Sequence, residues 1–143
     1  MGREIGPEVV PSPWQVPPVA SSIIIILACD APLLSDQCRR LAQRATVGLA
    51  RVGGVGHNSS GDLFLAFATG HHIPAHAEGP FPLGSMIPHH HLNPLLDATA
   101  DAVEESILNA LAAAETMTGP YGHTAYALPL DELQRVMAKY NRI

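Results

Sequence analysis

The chain has 143 residues, a formal net charge of −5, 47% apolar residues, 15% charged and 5% aromatic, which suits one core rich in Ala, Ile and Leu and excludes a disordered chain. Eight Lys plus Arg against thirteen Asp plus Glu argue against a nucleic-acid surface. The longest apolar run, residues 19–29, is about half of the roughly 20 residues a membrane span needs, and residues 1–18 lack the pattern of a signal peptide, so a soluble, cytoplasmic protein without a membrane partner is expected.

Residues 1–21 contain Pro7, Pro11, Pro13, Pro17 and Pro18, a density that permits neither helix nor central strand. They are expected as a linker ahead of a folded part over 22–143. The linker runs into Ser21-Ser22-Ile23-Ile24-Ile25-Ile26-Leu27-Ala28-Cys29, stopped by Asp30-Ala31-Pro32. Stiff β-branched residues without polar alternation predict a strand buried on both faces, which would carry Ser22 into the core. Composition leaves two readings of Ser22 open: a hydroxyl capping a strand, and a nucleophile freed as a new N-terminus by cleavage of the Ser21–Ser22 bond.

Ser35 as N-cap, with Cys38, Leu41, Ala42, Ala45 and Leu49 at three- and four-residue spacing, predicts a helix over 35–52 ended by Gly53-Gly54. Arg39, Arg40, Arg44 and Arg51 avoid that stripe and read as its solvated face. Cys29 and Cys38 both fall on apolar positions and are expected as packed thiols, not a disulfide. Next, His57-Asn58-Ser59-Ser60-Gly61-Asp62 leads into Leu63-Phe64-Leu65-Ala66-Phe67-Ala68, a second buried strand. On its own the polar cluster reads as a turn. Pairing of the two strands in one sheet would bring it beside Ser22.

Residues 70–94 hold Pro74, Pro80, Pro82 and Pro88 together with His71, His72, His76, His89, His90 and His91, and read as an irregular connection. Imidazoles invite a metal reading, yet there is no Cys partner and no His-x-x-x-His pair on a helix, so neither metal nor cofactor is expected. A helix follows over 95–118, with Leu96, Ala100, Val103, Ile107, Leu111 and Ala114 as its buried stripe. Gly119-Pro120-Tyr121-Gly122 breaks it, Thr124 to Leu128 suggests a short strand, and Asp131 caps a final helix with Leu133, Val136, Met137 and Tyr140 inward. The fold class is α/β, helices packed on buried β-sheet.

Taken in order, Gly2-Arg3-Glu4-Ile5, the run from Ser22 to Leu34, Gly48-Leu49-Ala50-Arg51, the run from Asn58 to Thr69, Leu92-Asn93-Pro94-Leu95, Ala114 to Gly119 and Gly122 to Pro129 resemble the carboxy-terminal part of the DmpA/BapA family of self-processing serine aminopeptidases. The resemblance implies part of an α-β-β-α sandwich and a precursor that cuts itself before a serine into an α and a β piece. The β piece starts with the catalytic serine, here Ser22 after Ser21. Ser60 and Asp62 match the family's second serine and acidic residue, and the family uses no metal. The freed amine of Ser22 would have a pKa of roughly 7.7–8.0, suited to accept the hydroxyl proton. Ser60 would relay or orient that proton and Asp62 would hold the amine. Asn58, His123 and Tyr126 are substrate-binding candidates, although His123 and Tyr126 read as readily as structural, and the histidine-rich connection is expected over the active site.

The implied function is hydrolysis that releases N-terminal amino acids, including D- and β-amino acids, from short peptides, amides or esters. Three departures bear on it. Met1 stands just before Gly2-Arg3-Glu4-Ile5, so the family's α region is expected to be encoded separately, lost or absent from this gene model, with a missing α region or α chain as the partner; the assembly is expected to be oligomeric. Ser21 replaces the usual Gly, which tolerates strained backbone more readily than Ser. Asp62 stands where the family often has Glu. Two other readings follow: a non-catalytic β-like fragment that needs a separate α chain, and an acyltransferase similar to the ornithine acetyltransferases, whose nucleophile is normally threonine.

Overall fold

Four isoleucines in a row extend the chain where the computed structural model begins its description, which covers residues 22–142. The linker and Ser21, with its side of the expected cleavage site, lie outside the described residues. In chain order the elements are β1 (Ile24–Cys29), α1 (Ser35–Arg51), β2 (Leu63–Ala68), α2 (Asn93–Ala113), β3 (Met117–Thr118), β4 (Thr124–Ala125) and α3 (Leu130–Lys139), with single 3-10 turns at His89–His91 and Pro120–Gly122. They fall into two compact units that divide between Glu105 and Ser106.

In the first unit β1 and β2 pair in parallel, from Ile24 opposite Leu63 to Cys29 opposite Ala68. Helix α1 is their crossover, and its Cys38 and Leu41 pack with Leu33, Leu92 and Leu96 against Leu27, Cys29, Ala66 and Ala68 of the strands. The strands are not buried on both faces. Ile24, Ile26 and Leu63 are 69%, 62% and 62% exposed, and Leu65 and Phe67 lie open beside them. The apolar pattern states which faces prefer to leave water, and among the described residues a helix covers only one of them.

The start of α1 differs from expectation in an instructive way. Leu34 occupies the cap position and Ser35 opens the helix, exposed. Gln37 supplies the missing cap: its Oε1 accepts from the Leu34 N–H at 3.0 Å while its Nε2 donates to the Ile87 carbonyl at 2.6 Å. This fully buried amide therefore closes the first turn and pins the distant 70–92 connection to it. At the other end, Gly54 N–H bonds to Leu49 O at 3.0 Å and Gly53 N–H to Ala50 O at 3.0 Å, with Gly53 at φ +100°, a helix stop that glycine permits. The side of α1 near Gly48 meets α2. A β-carbon on Gly48 would lie 2.5 Å from Ala100 O and 2.7 Å from Val103 Cβ, so glycine sets the closeness of that crossing. Arg51 reaches across it to Asp101 at 2.5 Å and Glu104 at 3.2 Å.

Both cysteines are free thiols. Burial, then the neighbouring Cys29 and Asp36, push the Cys38 pKa up. Helix α2 begins at Asn93 and ends at Ala113, earlier at both ends than the 95–118 periodicity predicts. Leu96, Ala100 and Val103 form the buried stripe, whereas Leu111 is half-exposed and Ala114 lies beyond the helix.

The second unit holds the end of α2, the hairpin and α3. Met117 pairs with Ala125 and Thr118 with Thr124, a shorter strand than the 124–128 expectation. Gly119 N–H to His123 O at 2.8 Å and Ala127 N–H to Thr116 Oγ1 at 3.0 Å brace the turn. Helix α3 starts after Pro129, with Asp131 in its first turn instead of capping it. Val136 is buried and Tyr140, expected inward, is 42% exposed. Among the described residues no helix is long and apolar enough to cross a membrane.

Candidate active site

Carried two residues back from Ile24 and Leu63, the parallel register sets Ile23 opposite Asp62 and Ser22 opposite Gly61, and hydrogen bonds follow that alignment. The Leu63 N–H donates to Ile23 O at 2.9 Å, and the Ile23 N–H donates to Asp62 Oδ1 at 3.0 Å. The Gly61 N–H donates to Ser22 Oγ at 2.8 Å. Ser60 Oγ donates to the same Asp62 Oδ1 at 2.5 Å. Two strand entries, 39 residues apart in sequence, thus share one polar network.

The local sequence explains how Ser60 and Asp62 come to face it. Asn58 and Ser59 form a turn closed by the Ser60 N–H on His57 O at 2.8 Å, and Gly61 then leads into β2. Ser60 and Asp62 are half-buried, which strengthens the bonds they make. Ser22 is exposed, not carried into the core, because it precedes the first β1 residue. Exposure leaves its hydroxyl reachable.

Of the residues singled out from sequence, Ser22, Ser60 and Asp62 come together. Asn58 is exposed at the turn and joins none of these bonds. His123 and Tyr126 belong to the other unit, His123 through its backbone in the hairpin and Tyr126 half-exposed. The histidine-rich connection does not overlie the strand entries at its anchors. It leaves the far end of β2, where a β-carbon on Gly70 would lie 2.5 Å from the Ala31 carbonyl carbon. It is then held by Gln37 on Ile87 and by Arg40 Nη1 at 3.0 Å from His89 Nδ1. Parallel strands put entries and exits at opposite ends, about 20 Å apart for six residues. Among the described residues no three His, Cys, Asp or Glu side chains gather as metal ligands.

Two participants escape a residue-type search, the N–H groups of Gly61 and Ile23. Any residue but proline supplies such a donor, so only the strand register identifies them.

The family model "Peptidase family S58" matches residues 1–125. The chain is 41% identical over 128 residues to the β-peptidyl aminopeptidase BapA of Sphingosinicella microcystinivorans, covering 90% of this chain and 32% of that protein. Among solved structures, the PH0078 protein of Pyrococcus horikoshii OT3 superposes with a TM-score of 0.79 at 47% identity, over 85% of this chain and 34% of that one. The L-aminopeptidase D-Ala-esterase/amidase of Ochrobactrum anthropi, described as a prototype for the serine aminopeptidases and a new variant among the Ntn hydrolase fold, gives 0.77 at 39% identity, over 85% and 34%. The chain thus spans about a third of the length of the curated relatives it matches. Its α/β fold, its ordered motifs and these matches agree: the chain belongs to peptidase family S58, the DmpA/BapA aminopeptidases.

Proposed function

We propose that the chain is the β-like catalytic part, residues 22–143, of a serine aminopeptidase whose nucleophile is Ser22, exposed by self-cleavage after Ser21. The relatives named aminopeptidase support this reading, and the observation that carries it is the shared network of Ser22, Gly61, Ser60 and Asp62. A serine hydroxyl is a weak nucleophile until a base within hydrogen-bond reach accepts its proton. The α-amine that cleavage frees on Ser22 is that base, either directly or through Ser60, which Asp62 holds in place.

The hydroxyl oxygen attacks the acyl carbon of the substrate's N-terminal residue. The bond to the leaving amine or alcohol breaks as the proton passes to it, and an ester of Ser22 remains. Water then attacks the ester, its proton goes back through the same base, and a free amino acid leaves. The Gly61 N–H, aimed at Ser22 Oγ, fixes the direction in which that hydroxyl faces the acyl carbon; the negative charge of attack grows on the substrate's carbonyl oxygen, where each well-placed donor is worth roughly 10² to 10³ in rate. The substrates are short peptides, amides or esters, with D- and β-amino acids included by likeness to the relatives.

Mass spectrometry of the expressed protein tests the first step: a product starting at Ser22 is expected, and Ser22→Ala abolishes it. Hydrolysis of amino-acid p-nitroanilides, with and without a supplied α region, tests the second. One observation favours a second reading, in which the chain is silent until an α chain joins it. The open apolar face of β1 and β2, in a chain about a third as long as its relatives, fits a partner layer in the family's sandwich. Processing and turnover that appear only after the α region is added select this second reading.

A further inference from the structure

Beside the close crossing at Gly48, α1 and the first turns of α2 border a half-open cavity of about 350 Å³, at the small end of the range of about 300–1,000 Å³ usual for small-molecule sites. Val47, Leu96 and Ala100 are its apolar lining, and Arg44, Arg51, Asn93 and Asp97 its polar lining. Arg51 is committed elsewhere, its Nη1 on Asp101 and Glu104, neither of which lines the cavity. One cation and one anion are left. Among the described residues the side chains of Arg44 and Asp97 make no hydrogen bond or ion pair, with each other or with a third group. Arg44 is half-buried, and a guanidinium partly withdrawn from water without a partner carries a cost that a ligand's anion relieves. The start of α2 is not itself that anion's partner, because the Leu95 and Leu96 N–H groups both bond Leu92 O at 3.0 Å and Pro94 has no N–H.

We propose that this cavity binds a free apolar α-amino acid, its carboxylate on Arg44, its ammonium on Asp97 and its side chain against Val47, Leu96 and Ala100. A lone anion would meet the Asp97 charge and a lone cation that of Arg44. A zwitterion with a short apolar arm answers both and the apolar lining as well. Asn93 holds donors and an acceptor in one amide and serves either end. The site goes beyond the reading of Ser22 as nucleophile, since it shares no residue with the network of Ser22, Gly61, Ser60 and Asp62. The two meet in one respect: free amino acids are what the proposed reaction releases, so the occupant builds up with turnover. Arg44 and Val47 belong to α1, and Asn93 and Asp97 to α2, so an occupant ties the two helices together and favours the folded state.

Equilibrium dialysis of the 143-residue chain with labelled leucine tests this, the competitors being leucinamide, which lacks the carboxylate, and 4-methylpentanoate, which lacks the amine. Leucine is expected to be taken up saturably, and each competitor to displace it at least about tenfold less well than unlabelled leucine does. Arg44→Gln and Asp97→Asn are each expected to weaken uptake by at least about tenfold, and Asp62→Asn by less than about twofold. Urea denaturation gives a second readout: leucine is expected to raise the midpoint of the parent and of Asp62→Asn, but not of Arg44→Gln or Asp97→Asn. Absence of saturable uptake, parity of either competitor with leucine, or uptake that needs Asp62 and not Arg44 overturns the proposal. So does a midpoint that leucine moves equally in the parent and in Arg44→Gln, which marks an effect on the solvent and not on a site. Neither readout needs turnover.

Discussion

The Gly61 N–H donates to the Ser22 hydroxyl oxygen across the two strand entries, at 2.8 Å. Because Gly61 sits opposite Ser22 in the continued register, the donor's direction is fixed by the sheet and not by a side-chain rotamer. It occupies one lone pair of the oxygen and leaves the hydroxyl proton to be given elsewhere. A β-carbon at Gly61 would lie 3.3 Å from that oxygen, close enough to displace it by a few tenths of an ångström. Gly61→Ala is therefore expected to slow p-nitroanilide hydrolysis by about tenfold or more through misplacement of the nucleophile, with little change in urea midpoint. A variant that keeps full rate would show that this alignment is not used.

Two substitutions at Asp62 separate its hydrogen bonds to Ile23 and Ser60 from the charge proposed to act in catalysis. Asp62→Ala removes the acceptor of the half-buried Ile23 N–H, at a cost of about 1–3 kcal/mol, together with the bond from the Ser60 hydroxyl. Asp62→Asn retains a carbonyl acceptor in place of Oδ1 but no charge. Its stability is expected to lie within about 1 kcal/mol of the parent, while turnover falls by about 10² or more. Urea denaturation beside steady-state kinetics on the two variants checks both numbers, and an Asp62→Asn protein with undiminished turnover excludes a role for the charge.

The acid limb of the pH profile follows from the proposed base. An amine takes a proton only when neutral, so lowering pH through its pKa removes activity. The amine that the proposed cleavage frees on Ser22 starts from roughly 7.7–8.0, and with Asp62 holding it as proposed the carboxylate favours the ammonium form and moves the limb upward. The kcat/KM is thus expected to rise with pH through a limb at or above about pH 8, and Asp62→Asn to move that limb down. Measurement from about pH 6 to about pH 10 decides it. A limb near the carboxylate range, unmoved by the substitution, assigns the base elsewhere.

Much of this was legible in residue order, for identifiable reasons. Four isoleucines and the Leu63–Ala68 run are stiff and apolar enough to become strands in most settings, and the helix between them makes their parallel pairing natural. Ser22, Ser60 and Asp62 could then be placed together through their motifs. Depth was less legible. The apolar pattern of Ile24, Ile26 and Leu65 records a preference for burial, while their exposure depends on what else is present to cover them. Residue type favours Ser35 as the cap, whereas Gln37 depends on Ile87, 50 residues away, a partner no local window contains. The histidine connection is expected over the strand entries, whereas its anchors, Gly70 on Ala31 and Ile87 on Gln37, lie at the strand exits, set by partners far away in sequence. The Gly61 donor was invisible because it is backbone.

The uncovered face of the sheet makes a prediction about the chain by itself. Ile24, Ile26, Leu63, Leu65 and Phe67 stand open on one side, each able to contribute about 1.5–3 kcal/mol if fully buried. The isolated chain is expected to bind a hydrophobic dye and to self-associate, and a supplied α region to suppress both. Ile26→Lys with Leu65→Glu should keep the isolated chain dispersed and abolish pairing with the α region. Sedimentation and dye fluorescence report the first pair of effects, and co-purification the second. A dispersed parent chain without dye binding would remove the case for a covering layer.

The crossing of α1 and α2 supplies the last prediction, which concerns stability and leaves the polar network untouched. Gly48→Ala would drive a β-carbon to 2.5 Å from Ala100 O and 2.7 Å from Val103 Cβ. The first of these is backbone, so relief requires the helices to separate, which also stretches the Arg51 contacts to Asp101 and Glu104. A loss of about 3 kcal/mol is expected, at the upper end of overpacking effects. Gly53→Ala is the control, since nothing lies within 4 Å of its added β-carbon but its φ is +100°; that backbone strain should cost about 1 kcal/mol. Urea midpoints for the two variants give the comparison. If Gly48→Ala proves no worse than Gly53→Ala, the two helices have room to part and the close crossing is not what fixes α2 against α1.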